Sequence, residues 1–72
     1  MNIEQLRYFQ LTASFQHMSK AADMLNISQP ALGSNNRRLE IELGVPLFDR
    51  VGRNIVLNSY GEEFLKSANS II

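Results

Sequence analysis

The apolar positions of this chain fall into blocks separated at Asn26, Gly44-Val45-Pro46, Val51-Gly52-Arg53-Asn54 and Asn58-Ser59. Residues 2–16 carry a helical pattern, with Leu6, Phe9 and Ala13 on one face. Tyr8, Leu11 and Phe15 form a second apolar stripe away from the first. A helix with two apolar faces needs two surfaces to pack against. One is the domain's own core, and the other is a distant part of the chain or a partner subunit. Asn2 suits the cap of this helix, and Glu4 suits the positive end of its dipole.

Residues 19–25 predict a short helix with Ser19 as its N-cap and Ala21, Ala22 and Leu25 turned inward. Asn26 fits the left-handed position that ends it, and Ile27 is an apolar residue held inside the turn. Ser28 then caps a helix over Gln29–Leu43, with Pro30 in the first turn, where a missing N–H costs nothing. Leu32, Leu39 and Leu43 share a face of that helix. Gly44 stops it, Pro46 prevents continuation, and Leu47 and Phe48 follow as apolar anchors. Arg50-Val51 and Ile55-Val56-Leu57 read as two short strands that must lean on the helices, since a two-stranded ribbon is marginal alone. A last helix spans Tyr60–Ile72, with Asn58 or Ser59 as its cap; Ser59 with Glu62 matches a capping box. Tyr60, Phe64, Leu65, Ala68, Ile71 and Ile72 fill one arc of it, opposite Glu62, Glu63, Lys66, Asn69 and Ser70. The sequence stops inside this pattern without a C-cap, so the expectation is the N-terminal piece of a longer protein.

The expected fold is mainly α: a winged helix-turn-helix of three helices and a short β-hairpin wing over residues 1–58, then a last helix over 59–72. Such a pair of helices matches a groove. B-form DNA has a major groove of about 12 Å that admits one α-helix, and its base edges carry a unique donor and acceptor code. With the Leu32–Leu43 side inward, the helix presents Gln29, Pro30, Ala31, Ser34 and Asn35 as candidate base readers. Amides bind adenine bidentately, Ala and Pro touch a thymine methyl, and Ser donates or accepts. Arg37 and Arg38 suit phosphates, as do the hydroxyls of Ser19 and Ser28, and Arg50 and Arg53 lie on the wing.

Charge complicates this picture. The 72 residues hold seven Lys/Arg and seven Asp/Glu, for a formal net charge of zero, whereas small nucleic-acid-binding domains are usually basic. The distribution resolves the conflict. Residues 28–38 and 50–58 contain Arg37, Arg38, Arg50 and Arg53 and no acid, while the remainder sets Arg7, Lys20 and Lys66 against all seven acids. The zero is a cancellation between two surfaces. It argues against strong indiscriminate binding and leaves specificity to Gln29, Ser34 and Asn35.

Several stretches resemble the LysR-type transcriptional regulators: Met1 to Phe9, Ser19-Lys20-Ala21-Ala22, Ser28-Gln29-Pro30-Ala31-Leu32, Arg38-Leu39-Glu40, Leu43-Gly44-Val45-Pro46-Leu47-Phe48-Asp49-Arg50 and Leu57 to Gly61. The resemblance covers essentially the whole chain. It implies an N-terminal winged helix-turn-helix, a linker helix from near Asn58 that pairs with its twin in a homodimer, and a C-terminal domain that binds a small-molecule effector. It also implies double-stranded DNA as partner, RNA polymerase as a partner of the full-length protein, and a cytoplasmic location. By position, Gln29, Pro30 and Ala31 match the family's groove-reading helix start, and Arg53 matches its wing arginine. The chain departs from the family pattern at Gly33, usually Ser, at Ser34, usually basic or polar, and at Asn36, usually apolar. Gly within a helix costs up to about 1 kcal/mol, and a buried unsatisfied amide about 1–3 kcal/mol, so a locally weaker recognition helix is expected.

Other chemistries find little support. There is no Cys, which excludes disulfides and thiolate metal sites and fits a reducing cytosol. His17 stands alone, Glu62 and Glu63 point to different faces, and no nucleophile–base pair or phosphate-cradling loop is apparent, so neither an enzyme nor a cofactor is expected in this part. No apolar run approaches the roughly 20 residues that span a membrane, so no membrane partner is expected. Phe64, Ala68, Ile71 and Ile72, with Tyr8, Leu11 and Phe15, are the candidate dimerisation surface. The alternative is a winged-helix module that contacts protein, without specific DNA binding.

Overall fold

Capping decides where each helix begins, and one of the caps, that of the second helix, differs from expectation. A computed structural model describes residues 1–52 and 54–71. Helix α1 (Ile3–Phe15) starts at a reciprocal box in which the Asn2 Oδ1 accepts from the Gln5 N–H at 2.8 Å and the Gln5 Oε1 accepts from the Asn2 N–H at 3.1 Å. It ends at Gln16 in the left-handed region, φ 49°, and His17 follows in extended backbone. That geometry starts α2 (Met18–Leu25) one residue sooner than predicted. His17, not Ser19, is therefore its cap: the imidazole Nδ1 accepts from the Lys20 N–H at 3.3 Å, and Ser19 lies inside the first turn. Asn26 ends α2 at φ 57°, and Ser28 caps α3 (Gln29–Leu43) through its Oγ, 3.2 Å from the Ala31 nitrogen. Gly44 closes α3 at φ 76°, a conformation that costs other residues a Cβ clash.

The hairpin pairs β1 (Phe48–Val51) with β2 (Asn54–Leu57) in antiparallel register, Phe48 opposite Leu57 and Val51 opposite Asn54. Both strands are longer than predicted, because Phe48, Asp49 and Asn54 join the ladder. Helix α4 (Ser59–Ile71) is capped by Asn58, whose Oδ1 accepts from the Gly61 N–H at 2.8 Å. Ser59 is the first helical residue, so the Ser59–Glu62 box does not form. Asn58 holds this place because it is tied twice more: its Nδ2 donates to the Pro46 carbonyl at 2.8 Å and its backbone N–H to the Leu47 carbonyl at 3.0 Å.

Helix α1 is the hub and touches α2, α3 and α4. Its Phe9 and Ala13 join Leu39 and Leu47 in one apolar cluster, against which Leu43, Phe48, Leu57 and Phe64 pack. The Phe9 ring meets Phe64 edge-on at 5.2 Å and Phe48 at 5.6 Å. A second cluster joins Ala21, Ala22 and Leu32, flanked by Tyr8, Met18, Leu25 and Ile27. Thr12 and Asn36 are buried polar residues beside these apolar cores. The Asn36 Nδ2 donates to the Thr12 Oγ1 at 3.2 Å, which in turn donates to the Tyr8 carbonyl at 2.7 Å. The Asn36 Oδ1 has no partner.

Two glycines should respond oppositely to alanine. A Cβ on Gly61 would overlap the Leu47 carbonyl oxygen and crowd the Leu57 side chain, whereas one on Gly33 would meet only the Met18 Cε, at 3.8 Å. Gly61→Ala should therefore cost about 1–3 kcal/mol. Gly33→Ala should add up to about 1 kcal/mol. Denaturant titration of both variants checks the pair of signs.

Candidate nucleic-acid interface

The helix-turn-helix hinges on three residues. Left-handed Asn26 turns the chain, Ile27 packs half-buried against the second cluster, and Ser28 restarts the helix. With Leu32 and Leu39 fully buried, α3 has one free side, and its N-terminal end carries Gln29, Pro30 and Ala31, all exposed. Arg37 and Arg38 are exposed further along, and Ser34 is half-buried. Asn35 differs from expectation: its Nδ2 is buried and without a partner, so one end of the amide that would grip an adenine is turned into the protein. Ser28 offers its hydroxyl at a helix N-terminus, but Ser19, half-buried within α2, is not a cap.

The hairpin completes the site. Arg50 is exposed on β1, directly across from buried Ile55. Arg37 and Arg50 flank one open cleft of about 230 Å³ between α3 and the hairpin, with Met18, Phe48 and Ile55 among its walls. Among the described residues the one salt bridge joins the Met1 amino group to Glu42, so the guanidiniums of Arg37, Arg38 and Arg50 have no carboxylate partner there. Arg53, the expected wing arginine, and Ile72 lie outside the described residues.

The expected dimerisation surface divides. Ala68 is fully buried within the chain, and Phe64, half-buried, packs one side on Phe9. Tyr8 sits against the second cluster, between α1 and the helix-turn-helix. What remains outside is Tyr60 and Ile71 on α4, Phe15 at the end of α1, and Leu11 in a groove between α1 and α4. A hydrogen bond from the Gln10 Nε2 to the Asn69 Oδ1, 2.8 Å long, bridges α1 and α4 at that groove. Tyr60 belongs to the apolar arc read from the sequence but had not been assigned to a partner surface.

The model of the bacterial regulatory helix-turn-helix proteins of the LysR family matches residues 3–62. The chain belongs to that family. It is 54% identical over 72 residues to an uncharacterised helix-turn-helix transcriptional regulator of Bacillus subtilis, YybE, covering all of this chain and 25% of YybE. It is 43% identical to the regulator BudR of Klebsiella aerogenes, of which it covers 50%. This LysR-family chain thus spans between a quarter and a half of the length of these relatives. Its fold superposes on the DNA-binding domain of CbnR, solved in complex with DNA, with a TM-score of 0.93 and 39% identity over 99% of this chain and 82% of that one. The winged helix-turn-helix expected from the sequence is the fold observed.

The cap assignments can be checked directly. Ser28→Ala and His17→Ala should each cost about 0.5–2 kcal/mol, while Ser19→Ala should stay within about 0.5 kcal/mol. Thermal melts of the three variants decide between His17 and Ser19 as the start of α2.

Proposed function

We propose that this LysR-family chain is the sequence-specific, double-stranded-DNA-binding domain of a bacterial transcriptional regulator, working as a homodimer. The observation that carries this reading is that Arg37 and Arg50 line one cleft between α3 and the hairpin, where the Glu40 carboxylate is engaged by the Leu47 N–H. A helix in the major groove with a wing towards the adjacent minor groove straddles one sugar-phosphate strand. Arg37 on α3 and Arg50 on β1 stand where they would bracket that strand. The likeness to the CbnR domain bound to DNA supports the same placement.

In this reading Gln29, Pro30 and Ala31 enter the groove first, with Ser34 behind them. Asn35 contributes only the end of its amide that is not buried. Arg38 and Ser28 contact phosphate. The acids on the remaining surface keep the net field small, so phosphate contacts hold the domain loosely on any duplex and base contacts decide where it stays. Residues 1–58 form the reading unit, and α4 begins the dimerisation helix. Tyr60, Ile71, Leu11 and Phe15 offer the apolar surface for a second copy, which would place two reading helices on a pseudo-palindrome. Effector recognition and contact with RNA polymerase belong to the longer regulator.

Binding should fall steeply with salt, with a log–log slope of roughly −0.9 per phosphate contact. Arg37→Ala should weaken binding to selected and random duplexes alike and flatten the slope by about one contact per subunit. Gln29→Ala should remove preference at one base pair, worth about 1–3 kcal/mol. Fluorescence anisotropy at several salt concentrations reads all three. Affinity for duplex that ignores salt would show that this surface contacts protein instead.

A further inference from the structure

We infer that Asn36 is a positioning residue, which pins the middle of α3 to α1 through Thr12 and so sets the rotation at which α3 presents its reading side chains. The inference rests on the DNA-binding reading above. Four observations carry it. Asn36 is 6% exposed and its position on α3, between Leu32 and Leu39, interrupts an apolar stripe whose two ends feed different clusters. An apolar side chain there would join those clusters. Stability alone does not account for an amide at this place, since its Oδ1 is buried without a partner. Its Nδ2, however, makes a directional bond to the Thr12 hydroxyl at 3.2 Å, and that hydroxyl is itself fixed on the Tyr8 carbonyl at 2.7 Å.

The need for such a pin follows from what surrounds it. Leu32 and Leu39 hold α3 by contacts that have no preferred direction, and a helix seated on a row of leucines can roll by a few degrees at little cost. Gly33, one turn from Arg37, adds no side chain to key the helix in place, and the nearest atom to a Cβ there is the Met18 Cε. Near the centre of α3, the Asn36–Thr12 bond ties the helix to α1 with a defined direction. Rolling α3 moves Gln29, Ala31 and Ser34 relative to base edges, while flexible Arg37 and Arg38 still find phosphate. A buried amide that lowers stability and fixes register is a known device in helical cores. A roll should therefore degrade discrimination and spare non-specific affinity.

The test compares Asn36→Leu, Thr12→Val and the double variant in the full chain, with three measurements: thermal stability, affinity for a selected duplex, and affinity for a random duplex. Asn36→Leu should melt higher, keep random-duplex affinity within about twofold, and lose about fivefold or more of the selected-to-random ratio. Thr12→Val should melt lower and lose the ratio by a similar factor. The double variant should lose no more of the ratio than Asn36→Leu alone, since the two residues act as one unit. An unchanged ratio in either single variant overturns the inference, as does additive loss in the double. A lower melting temperature for Asn36→Leu overturns it too, because the amide would then be there for stability. If the parent chain shows no salt-dependent duplex binding, it is the DNA-binding reading that has failed. The pin is then judged by residual dipolar couplings, which should report a changed or averaged orientation of α3 against α1 in Asn36→Leu; an identical orientation overturns it.

Discussion

Leu47 is the point on which the rest of the domain is hung. Its side chain is fully buried against Phe9, Ala13 and Leu39, so the main core fixes where its backbone must lie. That backbone is then used from both sides. The Leu47 N–H donates to the Glu40 carboxylate Oε2 at 2.7 Å, which ties the turn to the last helical turns of α3. Its carbonyl accepts from the Asn58 N–H at 3.0 Å and lies so close to Gly61 that no Cβ fits there. The end of α3, both ends of the hairpin and the first turn of α4 are thereby held at one residue. The charged acceptor makes the first of these a strong bond. A wing hung only on a two-stranded ladder would be floppy; hung on Leu47, it keeps Arg50 on the cleft that Arg37 also lines.

The same economy shows in α1. A chain of 72 residues can bury only a limited core, and here one helix serves three neighbours. Phe9 and Ala13 face α3 and α4, while Tyr8 faces the helix-turn-helix. Thr12 is buried on the same helix, and its hydroxyl bonds back to the Tyr8 carbonyl. Back-bonding of this kind leaves an oxygen aimed at the helix packed alongside, and Asn36 uses it. Two side chains that look misplaced when read separately form one bonded chain when the helices cross.

That pairing marks the boundary of what the sequence discloses. Element type and order were legible, because helical spacing, Asn26, Ser28 and Gly44 each state a local rule that tertiary contacts do not overrule. The misjudged cap of α2, and the choice of Asn58 over Ser59 for α4, have non-local causes. Ser19 is a better cap by composition than His17, but the left-handed turn at Gln16 starts α2 one residue sooner, and the bonds of Asn58 to Pro46 and Leu47 decide for Asn58 over Ser59. The partner of Asn36 lies 24 residues away on another helix, which no local pattern reports. Phe64 and Ala68 read as a dimer surface because an amphipathic arc does not say which body covers it; here α1 covers much of it. Gln29 and Arg37 were legible as exposed candidates, since exposure away from a leucine stripe follows from helical spacing alone.

Neutral overall charge then acquires a physical role. Every phosphate contact adds affinity for all duplexes equally, so a strongly basic domain gains residence on random DNA as fast as on its target. This chain keeps acids out of residues 28–38 and 50–58, Glu40 and Glu42 lying near the C-terminal end of α3 with Glu40 bonded to the Leu47 N–H, and among the described residues Arg37, Arg38 and Arg50 lack carboxylate partners. The local field still orients the domain on a backbone, while the modest total limits how long it stays at a wrong site. In the reading proposed above, discrimination comes from the placement of a few uncharged side chains on α3, and placement is a property of how that helix is seated. With so small a total charge, the seating of α3 matters more than it would in a strongly cationic domain. A directional bond between α3 and α1 is consistent with that demand, even at some expense of stability.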